Sequence, residues 1–283
     1  MRGLSIHFIA LCSFMLPVTG WATDKVVWHV SHFPPVNILS GEFAGQGYVD
    51  KTRKFFQDRL SDYHHETKIA GYGASMVAAQ AGTPFCRADL LKTAEREKIF
   101  YYSNPSYFMS GRRLIIANEV FPKVRDFVNK NGSVRFEDVL QQPWAKFAFV
   151  KGRAYFLKEK QELVEYGKAH PDLGTETSKQ AYDLFYEKKA NLLILYPFEY
   201  YYYLRTEKQN TKSRSLGVMD MEEFAYGYFA CSKTSVGKKV IDKINRVIDE
   251  ETGMYQWLDF YKEWVSEDEW RRVNRSYKKA FPK

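Results

Sequence analysis

The sequence predicts an α/β protein of two lobes, each a mostly parallel sheet flanked by helices, joined by two crossing strands. Three observations predict it. Short apolar runs rich in β-branched and aromatic residues alternate with longer amphipathic stretches, first before residue 117 and again after it. The strand–helix–strand order of each block implies parallel pairing through right-handed crossovers. No low-complexity tether separates the blocks, so strands such as 112–117 and 224–230 must carry the chain across. Two crossing strands make a hinge, expected near 117 and 226.

The N-terminal 1–22 read as an export signal. Arg2 supplies a basic start, Leu4–Val18 an apolar stretch, and Gly20 and Ala22 the small residues at the cleavage positions, so cleavage is expected after Ala22. The apolar stretch is too short for a comfortable membrane span. Ile9-Ala10-Leu11 fits poorly the motif that a lipidated Cys12 would need. The remaining chain divides into a first lobe, 23–116 with 227–283, and a second, 117–226.

In chain order, Lys25–Ser31 is strand-like and is stopped by Phe33-Pro34-Pro35. Gly47–Leu60 reads as a helix with Val49, Phe56 and Leu60 on one side, and Ser75–Ala81 as another, ended by Gly82. Phe85–Leu91 is a strand, and Arg112–Ala117 leaves the first block. In the second block Phe136–Leu140 is a short helix, Lys146–Val150 a strand, Tyr155–Tyr166 a charged helix, Ser178–Lys188 a helix and Asn191–Leu195 a strand stopped by Tyr196-Pro197. Phe224–Cys231 is the returning strand. Ser235 caps a helix striped by Val240, Ile241, Ile244, Val247 and Ile248, and Gly253–Trp264 is a final aromatic helix.

The chain is 45% hydrophobic and 17% aromatic, enough for a real core. Its formal charge of +8 falls to +7 without Arg2 (8 − 1) and is scattered among acids. That favours a basic surface or an anionic ligand over nucleic acid, which wants a stripe of cations. Of three cysteines, Cys86 and Cys231 lie beyond the signal. In an oxidising compartment an even pair reads as a disulfide, with two buried thiols as the alternative.

Cys86–Pro105, CRADLLKTAEREKIFYYSNP, is the most informative segment. It sets the guanidinium of Arg96 just past a strand end, where parallel sheets expose ligand crevices. No histidine has metal-ligand spacing, and no nucleophile-elbow, zinc-protease, phosphate-loop or dinucleotide motif occurs. No cofactor and no metal are expected. Tyr200–Tyr203 point all round a helix, so some pack and some face solvent.

The order of pieces resembles the periplasmic solute-binding proteins of family 3, the type II, amino-acid-binding-like group. The residues that carry the resemblance are Phe33-Pro34-Pro35, Gly45-Gln46-Gly47-Tyr48, Thr93-Ala94-Glu95-Arg96 with Tyr102-Ser103-Asn104-Pro105 behind it, Val150–Tyr155, and the strand Gly227–Ser232 before an amphipathic helix. The resemblance implies a periplasmic, monomeric protein that captures a small ligand between its lobes for an ABC-type transporter or a sensor. It also places strand 85–91 beside 224–232, which implies a Cys86–Cys231 bridge.

Residue by residue, the resemblance implies that Arg96 of the motif begun by Thr93 grips a carboxylate and that Phe33 stacks on the ligand. It implies that the backbone of Gly152, Arg153 and Ala154 offers N–H groups from a helix start. Tyr155 and Tyr196 are further candidates at the crevice mouth, and Tyr72 is another, with a core aromatic as its alternative. Two positions depart from the family pattern. Leu91 stands where a small hydroxyl residue is usual, and Tyr196 where an aspartate pairs with a ligand ammonium. Glu199, three residues on, is the substitute counter-charge. Without that aspartate a buried ammonium would lack its partner, so an anionic, aromatic or sugar-like ligand competes with an amino acid. Two alternatives stay open: an accessory protein that has lost the ligand site, and a dehydratase-like enzyme with Glu199 or Lys151 as acid or base.

Overall fold

β-branched and aromatic residues cluster where strands form, and the computed structural model shows how the two blocks are assembled. It describes residues 24–151, 153, 155–156, 161–207, 212–251 and 255–281. The first block runs through β1 (Lys25–Val30), α1 (Tyr48–Arg59), β2 (His64–Ile69), α2 (Tyr72–Gln80), β3 (Cys86–Leu90), the single-turn α3 (Ala94–Glu97), β4 (Phe100–Tyr102) and β5 (Tyr107–Ser110). The second runs through β6 (Arg113–Ala117), α4 (Phe121–Val124), β7 (Ser133–Val134), α5 (Phe136–Leu140), β8 (Phe147–Val150), α6 (Gln161–Ala169), β9 (Gly174–Thr175), α7 (Ser178–Tyr186), β10 (Leu192–Leu195), α8 (Pro197–Thr206) and β11 (Ser213–Val218). The chain returns in β12 (Phe224–Ser232) and ends in α9 (Ser235–Glu250), α10 (Leu258–Lys262) and α11 (Glu267–Ala280).

Two six-stranded sheets result, ordered β2-β1-β3-β12-β4, with β5 also on β12, and β7-β11-β6-β10-β8-β9. β1 pairs in parallel with β2 and β3, and β8 with β10 and β9, as the strand–helix–strand order requires. The strands that cross between blocks run the other way. β12 is antiparallel to β3, β4 and β5, and β6 to β10 and β11. Each sheet is therefore mixed, with parallel strands beside an antiparallel crossing strand.

The crossings lie between Ser110 and Arg113 and between Val218 and Phe224, a few residues ahead of 117 and 226. They touch closely. The Gly111 amide donates to the Glu223 carbonyl at 2.8 Å, and a Cβ on Gly111 would sit 1.8 Å from the Glu222 carbonyl oxygen. Only glycine lets the two backbones approach this far.

Both faces of the first sheet are covered. Trp28, Phe56, Phe229, Ile244 and Trp257 share a core on the α1 and α9 side, while Phe85, Leu90, Phe100 and Ala230 pack beneath α2. Cys231 lies opposite Cys86 in the antiparallel ladder and the two are bridged, with Cα atoms 4.0 Å apart. The second sheet packs its own core, including Leu114, Phe147, Tyr182, Phe185 and Leu192.

Several expectations are corrected. His64–Ile69 is a strand; its mostly exposed edge position hides the alternation that marks a strand. Thr234, not Ser235, caps α9, its Oγ1 accepting from Gly237 N at 3.0 Å. Tyr155 and Phe156 are not helical, and the charged helix is described from Gln161. Leu258–Lys262 is one short helix within the expected 253–264, and the last helix is instead α11, capped by Ser266. Among the described residues no helix is long and apolar enough to cross a membrane.

Candidate functional site

A cleft opens where β3, β5 and the 33–49 segment of the first lobe meet Arg112, Arg153 and the start of α8. One cavity in it is about 340 Å³ and includes Phe33, Tyr72, Arg96, Arg153 and Tyr196 of the expected site residues. A neighbouring cavity of about 370 Å³ shares Leu91, Arg112 and Tyr196 with it and reaches Tyr155.

The Phe33-Pro34-Pro35 turn places the Phe33 ring on the wall. The Pro34-Pro35 peptide is cis, Val36 N returns to Phe33 O at 2.8 Å, and Tyr48 N donates to Pro35 O at 2.9 Å. Phe33 meets Phe198 edge to face at 6.5 Å, and Phe198 stacks on Tyr196 at 4.9 Å with 7° between planes.

At the cleft floor two charges, two residues apart on β3, pair with each other. Arg87, 0% exposed, donates from Nε to Asp89 Oδ1 at 2.8 Å and from Nη2 to Oδ2 at 2.9 Å. Its other donors reach Ala70 O, Ser75 Oγ and Ser31 Oγ. Asp89 Oδ2 also accepts from Asn37 Nδ2 at 3.0 Å and from the Tyr72 hydroxyl at 3.1 Å. Burial, and then the Asp89 charge, push the Tyr72 hydroxyl well above its ordinary pKa, so it stays a donor.

Arg96 sits one turn past β3. Thr93 Oγ1 caps the turn by accepting from Arg96 N at 3.3 Å, and Arg96 Nη1 donates to Leu91 O at 2.8 Å. The same carbonyl accepts from the Tyr102 hydroxyl at 3.3 Å. Thr93 is exposed and does not line the cavity, so its part is to form the turn that carries Arg96.

The opposite wall rests on a buried ion pair. Glu199, 0% exposed, accepts from Arg153 Nη2 at 2.8 Å, from Ser178 Oγ at 3.0 Å and from Tyr196 N at 3.1 Å. Burial opposes the Arg153 charge, but the Glu199 carboxylate outweighs it and holds the guanidinium above its ordinary pKa. Glu199 therefore faces Arg153 rather than the cavity. This removes it as a counter-charge for a ligand and as an open acid or base. Lys151, the other such candidate, pairs with Glu176 at 3.0 Å.

Arg153 reaches the cavity through its side chain. Gly152 and Ala154 lie outside the described residues. Tyr155 is buried, its hydroxyl accepting from Val150 N at 2.8 Å, and Arg112 Nη1 donates to its carbonyl at 3.2 Å. Arg112 also lies over the Tyr196 ring, 5.1 Å from its centroid.

Sequence reasoning missed Asp89, Arg112, Tyr48, Tyr107 and Phe198 as lining residues. For Asp89 a signal existed: opposite charges at alternate positions of an otherwise apolar strand share one face and mark a buried pair. The others lie far apart in the chain and look like ordinary core or turn residues.

No family model and no curated protein matches the chain. Several solved structures do. A probable amino-acid ABC transporter extracellular-binding protein from Bacillus subtilis is 16% identical with a TM-score of 0.55, covering 86% of this chain and 99% of that one. An ancestral arginine-binding protein bound to arginine is 16% identical, TM-score 0.54, with 86% and 99% covered. The unliganded, open L-cystine solute receptor of Neisseria gonorrhoeae is 17% identical, TM-score 0.52, with 81% and 87% covered. At this identity the likeness speaks for the fold, since one fold hosts many functions. The chain has the two-lobed type II periplasmic-binding fold that these amino-acid solute-binding proteins share.

Proposed function

We propose that the protein is an exported, periplasmic solute-binding protein that holds a small anionic ligand in the cleft between its lobes and presents it to an ABC-type transporter or a sensor. The lobes meet at the two crossings beside Gly111, where hinge motion would open the cleft. Arg96 is the carboxylate grip, Phe33, Tyr72 and Tyr196 are the aromatic walls, and Glu199 fixes Arg153 opposite. The observation that carries this reading is a cavity lined from both lobes by aromatic rings with Arg96, Arg112 and Arg153 among them. Its volume suits a small molecule, and guanidinium forks suit carboxylates. The fold neighbours, which are amino-acid-binding proteins, support the solute-binding role. The lining carboxylate Asp89 is fixed by four hydrogen bonds, which favours a binding protein over an acid–base enzyme.

Thermal unfolding in the presence of aromatic and aliphatic carboxylates, dicarboxylates and neutral sugars tests this. A carboxylate raises the midpoint in a saturable way, as mass action requires, and Arg96→Ala removes the rise. An unshifted midpoint across all anions, or full binding by Arg96→Ala, overturns the reading.

A further inference from the structure

We infer that the cleft selects acids lacking an α-ammonium group, such as 2-oxo acids and arylalkanoic acids with an apolar body. This rests on the cleft reading above and names its ligand class. An α-amino acid brings an ammonium within two bonds of its carboxylate carbon, and on burial that cation needs acceptors, ideally a carboxylate. The carboxylate that lines the grip's own cavity is already engaged, and so is the one behind its opposite wall. Asp89 receives four donors, one on Oδ1 and three on Oδ2, and its charge is matched by Arg87. A carboxylate oxygen offers about two acceptor sites, so Oδ2 is full and Oδ1 keeps one beside the Arg87 Nε bond. The Leu91 carbonyl, which holds Arg96 in place, has its two lone pairs taken by Arg96 Nη1 and Tyr102 Oη. Glu199 is fully buried and committed to Arg153, Ser178 and the Tyr196 amide.

To give an ammonium either of these carboxylates, the protein would have to loosen Arg87 from Asp89 or Arg153 from Glu199, leaving a buried or mostly buried guanidinium short of its partner. A des-amino acid asks for neither. Its carboxylate meets the Arg96 guanidinium. Its apolar body meets Phe33, Tyr48, Tyr107, Met109, Tyr196 and Phe198, rings and a thioether that reward apolar area.

Calorimetric titration of the mature protein with matched pairs tests the inference: phenylpyruvate and 3-phenylpropionate against L-phenylalanine, and 4-methyl-2-oxopentanoate against L-leucine. Each partner keeps its carboxylate and carbon body, so only the α-substituent changes. The acids are expected to bind at least about tenfold more tightly than their amino partners, a difference of about 1.4 kcal/mol, with binding lost in Arg96→Ala. If an amino acid binds as tightly as its des-amino partner, and does so through Arg96, the inference falls while the cleft reading stands. If no carboxylate binds, the cleft reading falls and takes the inference with it.

Discussion

Phe198 of α8 packs edge to face on Tyr48 of α1, ring centroids 5.6 Å apart, although α8 follows a strand of the second sheet and α1 flanks the first. Phe198 is 1% exposed and belongs to the core of the first lobe. Two turns further along α8, Arg205 lies over the touching rings of Phe43 and Trp264, 4.6 and 4.7 Å from their centroids. One helix of the second lobe is thus fastened to the first at two points, and the cleft lies beside the first of them.

Phe198→Ala is therefore expected both to destabilise the protein and to free the lobes. Truncating a buried phenylalanine costs about 3–5 kcal/mol, read from the urea midpoint. Solution X-ray scattering should show a larger radius of gyration for the folded variant. A variant as compact as the parent would mean that the crossings alone hold the lobes together.

The Arg153–Glu199 pair predicts a strong non-additivity. Glu199→Gln leaves the mostly buried Arg153 charge unmatched; breaking a fully buried pair costs about 3–5 kcal/mol, and the cavity beside Arg153 puts this loss at or below the low end of that range. Arg153→Met together with Glu199→Gln removes both charges and should recover at least about 1 kcal/mol relative to the sum of the single changes. Additive losses in a double-mutant cycle would show that the pair is uncoupled.

His29 predicts an acid-sensitive step in stability. Its ring is buried, stacks on Phe85 at 3.9 Å and faces Ser75 Oγ through Nδ1 at 3.1 Å. Burial, then Lys68 and Arg87, lower its pKa from 6.5 to about 4. The unfolded chain thus takes up the proton first, so stability rises with pH across this window. The contribution is complete above pH 6.5, is lost as pH falls toward 4, and is flat below that. Urea midpoints between pH 7 and 4 should fall further for the parent than for His29→Gln, and the ring's NMR titration should centre near 4. Equal falls in both proteins would assign the acid sensitivity elsewhere.

Much of the fold could be read because periodic burial writes itself into composition. The apolar runs of β1, β3, β8 and β10 and the α9 stripe appear where the sequence points, while the Cys86–Cys231 neighbourhood follows the family resemblance. β2 did not show, because a solvent-facing edge strand such as HHETKI needs no apolar alternation. α11 was missed because its buried Trp270, Val273 and Tyr277 are thinly spaced among charges. Arg96 could be placed by its local motif. The roles of Glu199, Asp89 and Phe198 could not, since each is defined by partners brought in from elsewhere: Arg153 and Ser178, Tyr72 and Asn37, and Tyr48. Glu199 shows the difference most clearly. Its type and spacing advertise a charge open to a ligand, while its contacts consume that charge.

The Cys86–Cys231 bridge spans 145 positions and encloses both crossings. The whole second lobe is consequently an insert within a covalent ring, whose ends are fixed to adjacent strands of the first sheet. A single backbone cut anywhere in that insert opens the ring without separating the pieces. The fragments stay joined until the sulfurs are reduced.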